Sequence, residues 1–215
     1  MLVNLNYDSK SPFLPPCSIP MFRTNIGVEL TDELKNIALT EEQNIFNNTE
    51  CAVDKDQTLL TARLWQYNLF DFNYPSIQIL KEYIANQYQR YCGSIRAPTE
   101  KCYIHGWVNV LQPGQMITNH HHADAHCGAP RDTSYVSGNL SIQANATKTY
   151  YNNPFNPESS IGIDNEAGDM FLFPSFVVHS TDVNQDSEPR ISLAFDIITE
   201  SVYKSVNTTI FTQLN

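Results

Sequence analysis

The chain has 215 residues, room for one domain with a substantial core and no need of disulfide staples. Lys plus Arg number 13 and Asp plus Glu 23, and the resulting formal charge of −10 argues against a broad nucleic-acid or anionic-membrane surface. Hydrophobic residues make up 41% and aromatics 11%, so the chain is not disordered, and no apolar run approaches the ~20 residues of a spanning helix. Met1-Leu-Val-Asn-Leu-Asn6 has no basic lead and no sustained apolar stretch, and reads as no signal peptide. Cysteines 17, 51, 92, 102 and 127 are odd in number, scattered and without a CxxC pair. They read as reduced thiols of a cytoplasmic protein, in a host's cytoplasm if the source is viral. Three N-glycosylation patterns, beginning at Asn47, Asn145 and Asn207, are read as chance matches in an Asn-rich chain.

In chain order, residues 1–100 read as a helical and irregular lead-in and residues 101–200 as a strand-rich core, together one domain over 1–215. Ser11 to Pro20 holds four prolines and must be extended. Thr31-Asp-Glu33 reads as the cap and first turn of a helix ending softly near Asn47. Gln57 to Phe72 carries no clear period. Ser76 to Tyr91 reads as a second helix, with Ile77, Leu80, Ile84, Tyr88 and Tyr91 on one stripe and Gly93 as its stop.

After Cys102 the texture becomes β. Strands are expected over Tyr103–Leu111, Tyr135–Ala144, Thr147–Tyr151, Asp169–Phe173, Phe176–Asp182 and Arg190–Ile198. Gln112-Pro-Gly114 reads as a turn, and Asn/Pro/Asp clusters separate later strands. The fold class this implies is mostly β with N-terminal helices, a sandwich or jelly roll buttressed by helices. The tail from Tyr203 carries no clear signal.

Asn119-His-His-His-Ala-Asp-Ala-His-Cys127 packs four histidines, an acid and a thiol into nine positions. On a strand, residues two apart share a face, so His120, His122 and Asp124 project together and His121 points away. His122-Ala-Asp124 can grip one ion, with His179 at the end of Phe171-Leu-Phe-Pro-Ser-Phe-Val-Val178 as a further ligand. Two histidines and a carboxylate are the facial triad of non-haem iron oxygenases, which leaves positions open for a bidentate co-substrate and dioxygen. In Arg190-Ile-Ser192-Leu-Ala194, alternation puts Arg190, Ser192 and Ala194 on one face. A guanidinium fork beside a hydroxyl suits a carboxylate. Iron and a dicarboxylic 2-oxoacid are the cofactors this combination calls for.

With these residues in view, the sequence resembles the Fe(II)/2-oxoglutarate-dependent oxygenases, most closely the prolyl-hydroxylase-like proteins of bacterial and viral genomes. The resemblance rests on Gly106-Trp-Val-Asn109, Gln112-Pro-Gly114, Ser137-Gly138, Gly168-Asp-Met-Phe-Leu-Phe-Pro-Ser175, His179 and Arg190-x-Ser192, with Pro12 through Arg23 similar to the family's first strand. It implies a double-stranded β-helix in which His122, Asp124 and His179 bind Fe(II), and Arg190 with Ser192 binds the 5-carboxylate of 2-oxoglutarate. It also implies a dioxygenase that hydroxylates a substrate while oxidatively decarboxylating 2-oxoglutarate to succinate and CO2. Relatives often show H-x-H followed directly by proline, whereas here Ala125 to Ser134 intervenes, so His120 stands as the alternative to His122 as first ligand.

Asn109, Tyr103 and Asn139 either touch the oxoacid or make buried structural hydrogen bonds. A zinc site of His122, Asp124, His126 and Cys127 has only one thiolate where closed structural sites use several. Two other functions compete: a cupin-like metalloenzyme that does not use 2-oxoglutarate, and a non-catalytic jelly-roll binding module. The substrate is left open among a peptidyl residue, an amino acid, a nucleotide or a small metabolite, with no membrane partner expected.

Overall fold

The computed structural model describes residues 1–9, 12–13, 16–48, 67–122, 136–205 and 210–215. Along the chain run β1 (Leu2–Tyr7), β2 (Cys17–Asn25), α1 (Val28–Asn48), a 3-10 turn (Leu69–Asp71) and α2 (Pro75–Ile95). Next come β3 (Cys102–Leu111), β4 (Val136–Gln143), β5 (Lys148–Asn153), β6 (Asn156–Asp164) and β7 (Asp169–Pro174). The chain closes with β8 (His179–Thr181), β9 (Arg190–Thr199), α3 (Glu200–Ser205) and β10 (Thr212–Gln213).

The strands form a larger sheet in the order β1-β2-β7-β4-β9-β3-β10 and a smaller one in the order β6-β5-β8. A further extended segment lies against β8: His120 and His179 exchange two backbone hydrogen bonds, and Thr181 N–H donates to the Ile117 carbonyl. The two sheets face each other as a double-stranded β-helix. From β4 on the chain crosses repeatedly between them, so residues far apart in sequence arrive at one interior.

The larger sheet has two different faces. Its outer face is apolar: Ile104, Val108, Val110, Leu193, Phe195 and Ile197 pack with Ile77, Leu80, Ile84, Tyr88 and Tyr91 of α2. The predicted helix stripe is therefore buried as read, and Pro75 starts it at a position where the missing N–H costs nothing. Gly93 does not stop it; α2 runs on to Ile95 and ends where Arg96 turns left-handed, φ 56°. Thr31 is not the cap of α1 either. The helix begins at Val28 behind Gly27 (φ 84°), and the Thr31 hydroxyl donates back to the Val28 carbonyl.

Two glycines of the resemblance explain themselves on this outer face. A Cβ on Gly138 would lie 2.2 Å from Cζ of Phe195, and one on Gly106 would lie 2.4 Å from Cε2 of Phe70. Phe70 and Phe195 meet edge to face, their ring centroids 6.5 Å apart, within the roughly 4.5–7 Å of favourable aromatic pairs. Both glycines thus make room for one aromatic contact that locks the 3-10 turn onto the sheet.

The inner face is mixed. On β9 it carries Arg190, Ser192, Ala194 and Asp196; across the ladder lie Asn109 opposite Ser192, Trp107 opposite Ala194 and His105 opposite Asp196. On the other flank lie Ser141, Asn139 and Ser137. An apolar wall of Leu5, Tyr7, Ile19, Met21, Tyr151, Phe171 and Phe173 closes the side toward β1 and β2. Asn184, wholly buried, donates to the Leu111 and Glu188 carbonyls, while its own carbonyl accepts from Gly114 N–H. It ties the Gln112-Pro-Gly114 turn to the approach of β9 and so fixes where Arg190 enters.

Candidate metal centre

Three imidazoles meet inside the barrel. One ring nitrogen each from His120, His122 and His179 lies within 4.8 Å of the others, close enough to share one ion. The ring centroids are 5.1 Å apart for His120–His122, 4.3 Å for His120–His179 and 5.1 Å for His122–His179. The local sequence accounts for this. His120 and His122 are two apart on an extended segment, and the His120–His179 bridge brings the third ring across. His122 N–H donates to the Ser175 carbonyl, which pins the segment beyond the bridge. His121 is not part of the cluster.

The hydrogen bonds bear on which nitrogen of each ring would meet an ion. Nδ1 of His120 donates to the Thr118 carbonyl at 2.9 Å, and Nδ1 of His179 to the Val177 carbonyl at 3.0 Å. Nδ1 of His122 donates to Oδ1 of Asp196 at 2.7 Å. Carbonyl and carboxylate oxygens only accept, so each ring carries a hydrogen on Nδ1, and Nε2 is the nitrogen that would meet an ion. Burial and the adjoining His120 and His122 rings push the His179 pKa well below the ordinary 6.5, so the ring stays neutral and able to ligate.

A cation is buried in the same interior. Arg190 is 3% exposed, and its Nε and Nη1 have no hydrogen-bond partner among the described residues. Burial lowers its pKa from 12.5 to about 10, with Tyr151 and Asp182 opposing. A buried guanidinium with unmet donors is costly, and a bidentate anion is what would satisfy it. Tyr151 joins this anchor to the histidines. Its ring lies 6.1 Å from that of His179, its hydroxyl accepts from Asn139 Nδ2 at 3.2 Å, and burial raises its pKa. The donor set, three imidazoles in the same interior as a buried cation with two donors unmet among the described residues, fits an iron ion and a dicarboxylate together.

The structure distributes the sequence-derived site residues as follows. His122, His179 and His120 are brought together, so the alternative first ligand is in the cluster. Asp124, with His126 and Cys127, lies outside the described residues, as does the 125–134 stretch. Arg190, Ser192, Asn109 and Asn139 share the inner face. Tyr103 does not join them. It pairs with Ile198, eight residues along β9 from Arg190 (198 − 190 = 8), and stacks on Tyr203 with centroids 3.7 Å apart. Sequence reasoning missed Tyr151 and Asp196. Extending the Arg190-Ser192-Ala194 alternation one step reaches Asp196; the adjacent Tyr150-Tyr151 pair gave no face.

Residues 105–196 match the family model described as "Putative 2OG-Fe(II) oxygenase". That match gives the enzyme class as an iron(II)- and 2-oxoglutarate-dependent oxygenase. Solved structures agree on the fold. The α-ketoglutarate-dependent carbocyclase SnoK of nogalamycin biosynthesis superposes with a TM-score of 0.61 at 11% identity, covering 91% of this chain and 92% of that one. A Pseudomonas putida prolyl-4-hydroxylase gives 0.58 at 11% identity, covering 84% and 92%. The collagen prolyl hydroxylase of Paramecium bursaria Chlorella virus-1, in its 2OG complex, gives 0.54 at 15% identity, covering 83% and 95%. No curated protein matches the chain. Among the described residues no helix is long and apolar enough to cross a membrane.

Proposed function

We propose that the protein hydroxylates its substrate, with His120, His122 and His179 holding Fe(II) and Arg190 anchoring 2-oxoglutarate. Ser192 and the Tyr151 hydroxyl complete the carboxylate cradle, and Asn109 and Asn139 line its walls. Iron(II) with 2-oxoglutarate supplies the chemistry: dioxygen is consumed, the oxoacid becomes succinate and CO2, and one oxygen enters a substrate C–H bond as hydroxyl. The protein's part is positioning. The three histidines would hold the iron and leave it room for co-substrate and dioxygen. Arg190 fixes the far carboxylate, and the apolar wall of Phe171 and Phe173 keeps water from the reacting end.

The observation that carries this reading is the buried guanidinium, two of its donors unmet among the described residues, in the same interior as the three converging imidazoles. A cupin-like isomerase would need the imidazoles but has no use for an uncompensated Arg190. The substrate class is a peptidyl residue, an amino acid or a small metabolite. Succinate formation with pooled amino acids, peptides and nucleosides tests the activity. His120→Ala, His122→Ala and His179→Ala should each abolish iron binding, and Asp124→Ala should retain it. Iron loss in Asp124→Ala with retention in His120→Ala would assign the carboxylate as ligand instead.

A further inference from the structure

Asp196 stands one hydrogen bond behind the histidine cluster. It is 7% exposed, on the inner face of β9, and the same Oδ1 accepts from His122 Nδ1 at 2.7 Å and from Ser137 Oγ at 2.6 Å. Ser137 is wholly buried and sits directly opposite Asp196 in the β4–β9 ladder, so the hydroxyl is held by backbone pairing. On its other side the His122 ring lies against Trp107, centroids 5.4 Å apart and planes 30° apart. Nδ1 of His120 and of His179 bonds carbonyls of their own segments, two residues away. Nδ1 of His122 is instead braced by a carboxylate from another strand.

We propose that Asp196, oriented by Ser137, is a positioning residue that aims His122 Nε2 at the metal and raises that ring's strength as a ligand. The inference rests on the three-histidine reading of the site. The physical ground is that an imidazole whose Nδ1–H donates to a carboxylate is fixed in one tautomer and one ring orientation, and becomes a better electron-pair donor at Nε2. Three imidazoles bring no charge to a divalent ion. Asp196 places a negative charge one ring away, in the low-dielectric interior where it counts most. The β9 alternation thus gives each part of the site a residue: Arg190 and Ser192 for the oxoacid, Asp196 for the metal ligand.

The test is anaerobic calorimetric titration of the full-length apo chain with Co(II). Asp196→Leu should weaken Co(II) binding roughly 10–100-fold, the range found when such supporting partners are removed. Asp196→Asn keeps an acceptor for Nδ1–H and should recover part of the loss, and Ser137→Ala should lose less than Asp196→Leu. A purely structural Asp196 would lower the apo melting temperature while leaving Co(II) affinity unchanged, which would overturn the proposal. His179→Ala is the control for the site: if it binds Co(II) like wild type, the three-histidine reading fails and takes this inference with it. If Asp196→Leu does not fold, nitrogen chemical shifts of His122 in the wild-type Zn(II) complex decide. Hydrogen on Nδ1 and metal on Nε2 are expected; metal on Nδ1 would overturn the proposal.

Discussion

Replacing Arg190 by methionine should stabilise the apo protein while destroying its capacity for 2-oxoglutarate. Burial takes the guanidinium pKa from 12.5 to about 10. At ~1.4 kcal/mol for each tenfold, keeping that charge buried costs on the order of 3 kcal/mol. The sign follows: a cation with a depressed folded-state pKa weakens the fold throughout the range below that value, which includes neutral pH. Methionine keeps most of the aliphatic stem and removes the charge, so repacking losses offset only part of the gain. A net gain of about 1–2 kcal/mol would raise the melting temperature by roughly 2–8 °C for a domain of this size. The assay is differential scanning fluorimetry of both proteins with and without Mn(II) plus 2-oxoglutarate. Wild type should rise on addition and Arg190→Met should not. A variant that melts lower in the apo state, yet still responds to 2-oxoglutarate, would refute the reasoning.

Three further outcomes are expected. Tyr151→Phe keeps the ring against Phe173 and His179 but loses the hydroxyl, so 2-oxoglutarate affinity should fall about tenfold, worth one buried hydrogen bond, with Co(II) affinity unchanged. Gly138→Ala sets a methyl 2.2 Å from Phe195 Cζ and should cost about 1–3 kcal/mol in urea unfolding, partly restored by adding Phe195→Leu. The His179 pKa is lowered in the fold, so its contribution to apo stability is complete above pH ~6.5 and is lost as pH falls from there toward the folded-state value. The urea midpoint should therefore drop between pH 7.5 and 5.5 in wild type and drop less in His179→Gln; equal drops would assign the effect elsewhere.

The parts of the fold legible in the sequence were those with one strong period. The stripe of α2 repeats at helical spacing because a whole sheet face covers it, and β9 alternates because its two faces meet the helices and the barrel. The segments missed are edges. In β6 only Ile161 and Ile163 mark the inner face, amid serines and acids on a strand with one neighbour. In β1 only Leu5 and Tyr7 are buried. The expected strand over Phe176–Asp182 shortens to His179–Thr181, since Val177 N–H bonds the Pro174 carbonyl in a turn that the apolar run conceals. In the site, His179 and Arg190 were legible because each stands alone at a strand end. The choice between His120 and His122 as first ligand was not, since alternation places both on one face, and it is the bridge to His179 that draws His120 into the cluster as well. Asp196 looked like one more charge in a strand until the fold put Ser137 and His122 on the same oxygen.

The central claim is that one barrel interior holds iron through its histidines and 2-oxoglutarate through Arg190. Visible absorption of the apo protein mixed anaerobically with Fe(II) and 2-oxoglutarate tests it most directly. The account predicts a weak charge-transfer band from the chelated oxoacid, lost in His179→Ala for want of iron and in Arg190→Met for want of the oxoacid. Bound iron with no band in wild type, or a band that survives in Arg190→Met at the same 2-oxoglutarate concentration, would contradict it.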